Sequence, residues 1–165
     1  MSSALEGARD QILKIVRETT ERLVTGHPFT SGNDALRGAI PLEAQAEAGV
    51  WRAFDLITRP GTGPQDDGMC GITSLRFRKQ FAIRITYPGS WGGDREALIR
   101  VMDDDSELMI TRLRNPNNWA TPGSGIETLN IGLDDQVPTT TPIGGSDADS
   151  PGYIRTIPLT LLYGT

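Results

Sequence analysis

The chain has 165 residues, of which 37% are hydrophobic, with 19 glycines and 11 prolines. That length supports one domain with a real core, and the composition predicts a modest core joined by long connections. A net charge of −5 opposes a nucleic-acid-coating role, and the absence of any run of about 18 apolar residues predicts no membrane-spanning helix. The single cysteine, Cys70, excludes an internal disulfide framework and a Cys-rich metal cage. Met1 to Glu6 lacks the basic-then-apolar pattern of a secretory signal.

Charge is unevenly distributed. Residues 1–92 hold eleven Lys/Arg against ten Asp/Glu, whereas residues 93–165 hold five against eleven. Complementary surfaces that meet between copies would use such a split; two differently solvated faces would also produce it.

In chain order, residues 3–25 read as a helix. Ser3 and Glu6 fit a capping box, and Leu5, Ala8, Ile12, Ile15, Val16, Thr19 and Leu23 fall on one helical stripe. Gly26 and Pro28 supply the stop. A connection follows over 27–49, with turn chemistry at Thr30 to Asp34 and a short Glu/Ala-rich helical turn at Leu42 to Ala48. Residues 50–58 read as a strand with apolar residues on both faces, hence covered on both sides. Residues 59–72 form a long Gly/Pro/Asp loop, expected to be mobile.

Leu75 to Tyr87 carries the strongest pattern in the chain. Leu75, Phe77, Phe81, Ile83, Ile85 and Tyr87 alternate with polar or small residues, and Lys79 alone breaks the series. Period two over this span predicts a strand of about 43 Å, against a usual length of about 17–20 Å. One end is therefore expected to project and to seek a partner strand. Pro88 and the glycines after it make a turn. Asp94 caps a second helix that runs to about Arg114, with Leu98, Val101, Met102, Leu108 and Met109 buried. Asp103, Asp104 and Asp105 predict a kink or break near Ser106. Asn115-Pro116 ends the helix, and Trp119 is expected to pack back onto its end. Residues 126–133 read as a third strand and 153–163 as the last. Pro158, lacking an amide hydrogen, places the last strand at an edge or a bulge. The Thr/Pro/Gly-rich stretch 137–152 reads as mobile, or ordered only by a neighbour.

The resulting order, αββαββ, predicts an α/β (α+β) fold. A single small mixed or antiparallel sheet carries two helices packed on one face, with long loops, in a single domain spanning 1–165. No internal repeat is evident in the sequence.

Few residues offer chemistry. His27 is the sole histidine and lies at a helix stop. No nucleophile elbow, phosphate loop or dinucleotide fingerprint is present. The acidic groups at Asp66-Asp67, Asp103 to Asp105, Asp134-Asp135 and Asp147/Asp149 do not match a calcium loop. No catalytic, cofactor or metal site is expected. Arg76, Arg78 and Arg84 share one face of the long strand. With no interleaved aromatics, they read as a subunit interface toward an acidic neighbour, for which Asp103, Asp104 and Asp105 are the candidates.

These features together resemble the tail terminator and tail completion (head-tail joining) proteins of tailed bacteriophages. The likeness is carried by the N-terminal helix, by Phe81-Ala-Ile-Arg-Ile-Thr-Tyr87 before a Gly/Pro turn, and by Asp94 opening an Asp-rich helix. Leu113-Arg-Asn-Pro-Asn-Asn-Trp119 and the closing Ile157-Pro-Leu-Thr-Leu161 complete it. It covers most of the chain as a pattern, with 137–152 outside it. The resemblance implies a non-enzymatic virion protein of the tail or neck, made in the host cytoplasm. It implies a homo-oligomer, a hexameric ring on the head-proximal end of the tail tube that stops polymerisation and joins the tail to the head. The implied partners are the tail tube protein, a head-tail connector protein, a sheath protein if the tail is contractile, and DNA passing without specific binding; no membrane is involved. A small α/β ligand-binding or regulatory domain is the alternative, and a metal-dependent enzyme built on the acidic clusters a third reading.

Overall fold

A computed structural model describes residues 4–31, 41–58, 65–69, 75–89, 95–119, 126–131, 137–144 and 150–164. The elements are α1 (Ala4–Arg17), β1 (Thr30–Ser31), α2 (Leu42–Glu47), β2 (Ala53–Thr58), β3 (Gln65–Met69), β4 (Leu75–Pro88), α3 (Arg95–Arg114), a 3-10 turn (Pro116–Trp119), β5 (Ile126–Ile131), β6 (Thr139–Pro142) and β7 (Gly152–Gly164). This is the α+β architecture that the residue pattern predicts, with additional short elements inserted between its main ones.

The spine is the antiparallel pair β4–β7, in register from Arg76↔Gly164 to Pro88↔Gly152. The other edge of β4 is shared in tandem by β2, opposite 81–85, and β3, opposite 75–78. The expectation of a projecting, unpartnered long strand is therefore corrected. A last strand of matching length lies along one edge, and two short strands in line occupy the other. Two further expectations change with it. Residues 65–69 and 139–142 are strands rather than parts of structureless loops, because each can hydrogen-bond to an edge the long pair leaves open. Of those two segments, residues 59–64, 70–72 and 145–149 lie outside the described residues.

The sheet also holds a topological repeat that the sequence does not announce. From Thr58 to Gln65 the chain advances seven residues while its partner on β4 steps back three, from Phe81 to Arg78. From Ile131 to Thr139 it advances eight while its partner on β7 again steps back three, from Leu159 to Thr156. In each half a first strand pairs with the C-terminal part of the long strand, and a second strand, after a connection, pairs with the N-terminal part. Helix α1 precedes one such unit and α3 the other. Backbone pairing imposes this equivalence without side-chain identity, which explains its absence from the sequence.

Alternation places Phe81, Ile83, Ile85 and Tyr87 of β4 on one face with Phe54, Leu56, Ile157, Leu159 and Leu161. Against them pack Ala8, Ile12, Ile15 and Val16 of α1 and Leu98, Val101, Met102, Met109 and Leu113 of α3. On the opposite face α2 adds a small second cluster, with Leu42 and Ala46 against Ala53 and Ile154. Both faces of β2 are thus covered, as its mixed apolar pattern requires.

Two helix boundaries differ from the pattern. Helix α1 ends at Arg17 rather than near Thr25. Thr19 turns its hydroxyl onto the Ile15 carbonyl at 2.8 Å, the Glu18 carbonyl accepts from Arg112 at 2.7 Å, and the carbonyls of Leu23, Val24 and His27 accept from Arg52. Helix α3 runs unbroken through Ser106, because its aspartates are individually paired. Trp119 does pack back, donating its indole N–H to the Leu113 carbonyl at 2.6 Å. Pro158 faces Ala82 of β4. On its other side β5 ends opposite Leu159 and β6 begins opposite Thr156, so no described strand needs the amide hydrogen that proline lacks.

Two glycines mark backbone crowding. A Cβ at Gly89 would lie 2.0 Å from the Ser150 carbonyl oxygen, and one at Gly152 would lie 2.5 Å from that of Ala46. A Cβ at Gly7, in α1, would meet nothing within 4 Å. Gly89→Ala and Gly152→Ala should each destabilise by about 1–3 kcal/mol, the usual cost of overpacking. Gly7→Ala should stabilise by about 0.5–1 kcal/mol through helix propensity. Urea unfolding midpoints check all three; a neutral Gly152→Ala would contradict the close seating of α2 on β7.

Candidate functional site

The middle of α3 is the most heavily engaged polar region. Its buried stripe contains Leu98, Val101, Met102, Asp105, Met109 and Leu113, so an acid stands where spacing demands an apolar residue. Asp105 is fully buried and faces Arg52, also fully buried. Arg52 donates Nε to Asp105 Oδ2 at 2.7 Å and Nη2 to Oδ1 at 3.2 Å. Its remaining N–H groups reach the carbonyls of Val24 (2.8 Å), His27 (3.2 Å) and Leu23 (2.6 Å). Tyr87 adds its hydroxyl to Asp105 Oδ2 at 2.7 Å. Burial pushes the Asp105 carboxyl above its ordinary range, against the hydrogen bonds from Arg52 and Tyr87. Burial, and then the adjacent Asp105 charge, hold the Tyr87 hydroxyl well above its usual value.

Arg52 itself has φ +52°, and Val24, which it binds, has φ +50°. Left-handed conformations cost a non-glycine residue about 1–3 kcal/mol and persist only where surroundings impose them. Here one guanidinium holds both. Around it Trp51 stacks on His27 at 5.2 Å and meets Tyr87 edge-on at 6.1 Å.

The neighbouring acids have separate partners. Asp104 pairs with Arg22 at 2.8 Å. Asp103 accepts from Arg155 at 2.7 Å, and Arg155 also reaches Ser106 and Thr140, tying β7 and β6 to α3. Arg84 lies on the opposite sheet face, where it forks onto Asp55 of β2 and reaches Glu43 of α2 at 2.8 Å. The hydrogen bond to Asp55 is the first cause of the raised Arg84 pKa. Arg78 is exposed, and the Arg76 side chain lies outside the described residues. Of the six interface candidates, four are thus committed to ion pairs within the chain. Asp105 and Arg84 fasten the fold. Arg52, Tyr87 and Arg155 escaped sequence reasoning, although an acid inside the apolar stripe of α3 was a legible sign that a buried cation must meet it.

Two clefts flank β6. One of about 260 Å³ lies between α3 and the sheet, lined by Arg95, Leu98, Ile99, Met102, Thr140, Pro142 and Tyr153. The other, about 350 Å³, lies on the α2 face beside Glu43, Arg84 and Ile143. Among the described residues no group of three or more His, Cys, Asp or Glu is placed to hold a metal ion, His27 is exposed, and no helix is long and apolar enough to cross a membrane. Cys70 lies outside the described residues. The sheet edges are the other available surface: among the described residues β3 pairs with β4 alone, and β5 and β6 with β7 alone. No family model and no curated protein matches the chain.

The three adjacent aspartates should separate sharply on truncation. Asp105→Ala strands a buried guanidinium and should cost about 3–5 kcal/mol. Asp103→Ala and Asp104→Ala remove partly exposed pairs and should each cost under about 1 kcal/mol. Equal midpoints for the three in chemical denaturation would contradict the assignment.

Tyr87 carries a pH signature. Its folded pKa is raised, so above the unfolded value of about 10 the unfolded chain releases this proton and the folded chain does not. Its contribution is complete below pH 10 and declines as pH rises. Tyr87→Phe should be less stable at pH 8, and the gap to the native chain should narrow by pH 11. Denaturant midpoints at both values test this; a constant gap would contradict it.

Proposed function

We propose that the chain is a structural virion protein of the tail-terminator kind. In this reading, copies form a ring, six-membered by the family resemblance, at the head-proximal end of a phage tail tube. The ring ends tube growth and offers a platform for the head or neck. The observation that supports it is that, among the described residues, β3 on one side pairs with β4 alone, and β5 and β6 on the other pair with β7 alone. An open edge presents unpaired N–H and C=O groups to another chain, and two unlike patches on one subunit are what a head-to-tail ring uses. The order of elements supports the reading, as does the commitment of Asp103, Asp104 and Asp105 to ion pairs rather than to a convergent acidic site.

The second reading, a small ligand-binding domain, draws on the cleft beside Ile99 and Met102. At about 260 Å³ it falls below the 300–1,000 Å³ range common for ligand pockets, and the cleft beside Glu43 and Arg84, at about 350 Å³, lies at its lower end, so the edges carry more weight.

Sedimentation velocity and native mass measurement of the purified chain, alone and with phage tail tubes, test the proposal. The expected result is a closed oligomer of uniform size, either free or on the tube ends. A monomer that neither associates nor caps tubes would overturn it.

A further inference from the structure

We propose that the cleft between α3 and the sheet binds a small amphiphilic carboxylate, a monoanion with a short aliphatic tail. The inference goes beyond the ring reading and is independent of it. The cleft is built within one copy, so it serves a monomer and a ring alike.

The walls choose the tail. Leu98, Ile99 and Met102 line the cleft from α3, at the three- and four-residue spacing that places side chains on one helical stripe. Pro142 of β6 and Tyr153 of β7, which are register partners, line it from the sheet. Ile99 is 37% exposed, so an occupant would remove apolar surface from water. The volume sets the length. About 260 Å³ corresponds to roughly nine groups of water size at about 30 Å³ each. That suits an acid of about eight carbons and is too small for a long-chain lipid or a nucleotide.

Charge selects the head group. Arg95 is the one charged residue lining this cleft. An arginine can serve several acceptors at once through its N–H groups, as Arg52 and Arg84 do elsewhere in the fold. It meets a carboxylate with two parallel hydrogen bonds. Thr140 brings a second donor. Its hydroxyl oxygen accepts from Arg155 Nη1 at 2.8 Å, a bond that polarises the O–H in favour of an anionic acceptor. Arg155 also holds Asp103 at 2.7 Å, which offsets the charge of the nearest acid on β6's side of α3. The cleft on the α2 face lacks this bias, because its charged lining residues, Glu43 and Arg84, already pair with each other at 2.8 Å. An amine in the α3 cleft would meet like charge at Arg95, and an alcohol would gain the walls without the head-group contact.

Amide chemical shifts of the isotope-labelled native chain, titrated with sodium octanoate, octanol and octylammonium, test the proposal. Octanoate should saturate with a dissociation constant at or below about 1 mM, a modest affinity for a ligand of about ten non-hydrogen atoms. Its shifts should centre on 98–102, 139–141 and 153. Octanol should bind severalfold more weakly, and octylammonium more weakly still. Arg95→Gln should weaken octanoate about tenfold, as loss of a charged hydrogen-bond partner does, and leave octanol unchanged. Ile99→Glu should weaken both. Both positions are exposed on α3, and circular dichroism checks folding. Octanoate shifts that do not saturate, or that centre elsewhere, would overturn the site. Equal affinity for the three ligands, or an Arg95→Gln loss as large for octanol as for octanoate, would overturn the head-group assignment. Should either variant misfold, the comparison of the three ligands on the native chain decides by itself.

Discussion

The buried pair Arg52–Asp105 is the constraint on which the rest of the structure depends. Removing two charges from water costs several kcal/mol per ion, and attraction offsets this only when geometry is good and the remaining groups are satisfied. Here they are: the guanidinium meets both carboxylate oxygens and three backbone carbonyls, and Tyr87 supplies a further donor. The pair joins four parts of the chain, namely α3, the entry to β2, the end of β4 and the segment 23–27. It fixes the seat of α3 on the sheet. It also keeps Val24 and Arg52 in conformations that neither would hold alone.

Around this anchor the fold uses one device twice. Each long strand accepts two short strands in line on its outer edge, separated by a connection that skips three pairing positions. The central pair β4–β7 is thereby completed within a single copy. In the proposed ring, contact between copies would come from the unlike outer edges rather than from an overlong central strand.

The parts of the fold that follow a period were legible in the sequence. The alternation from Leu75 to Tyr87 and the helical stripes from Leu5 to Val16 and from Leu98 to Leu113 locate the sheet and the helices on it. What stayed hidden depends on pairing across distance. Gln65–Met69 lacks strand-forming composition, and the threonines of Thr139–Pro142 sit between prolines; both become strands because an edge is waiting for them. Leu23 continues the α1 stripe on paper, yet it is 43% exposed, since the carbonyls of 23–27 bind Arg52 instead of extending a helix. The run Asp103 to Asp105 reads as a solvated face or a break. In the fold each member points to a different arginine, because successive helical residues are about 100° apart.

Arg84 illustrates the limit of reading a face from one strand. Arg78 and Arg84 alternate onto one face of β4, yet Asp55 arrives from the neighbouring strand and Glu43 from α2, partners that no local pattern reveals. A reversal of Arg84 would therefore disturb the fold before it disturbed any interface. In the proposed assembly the contact lies at the outer strand edges, which pair with no further strand among the described residues. Hydrogen exchange measured against protein concentration tests that claim most directly. The account predicts that amides of 65–69 and 126–131 slow together as copies associate, while those of β4 and β7 remain unchanged. Edge amides that exchange equally fast in monomer and oligomer, or that never slow at any concentration, would contradict it.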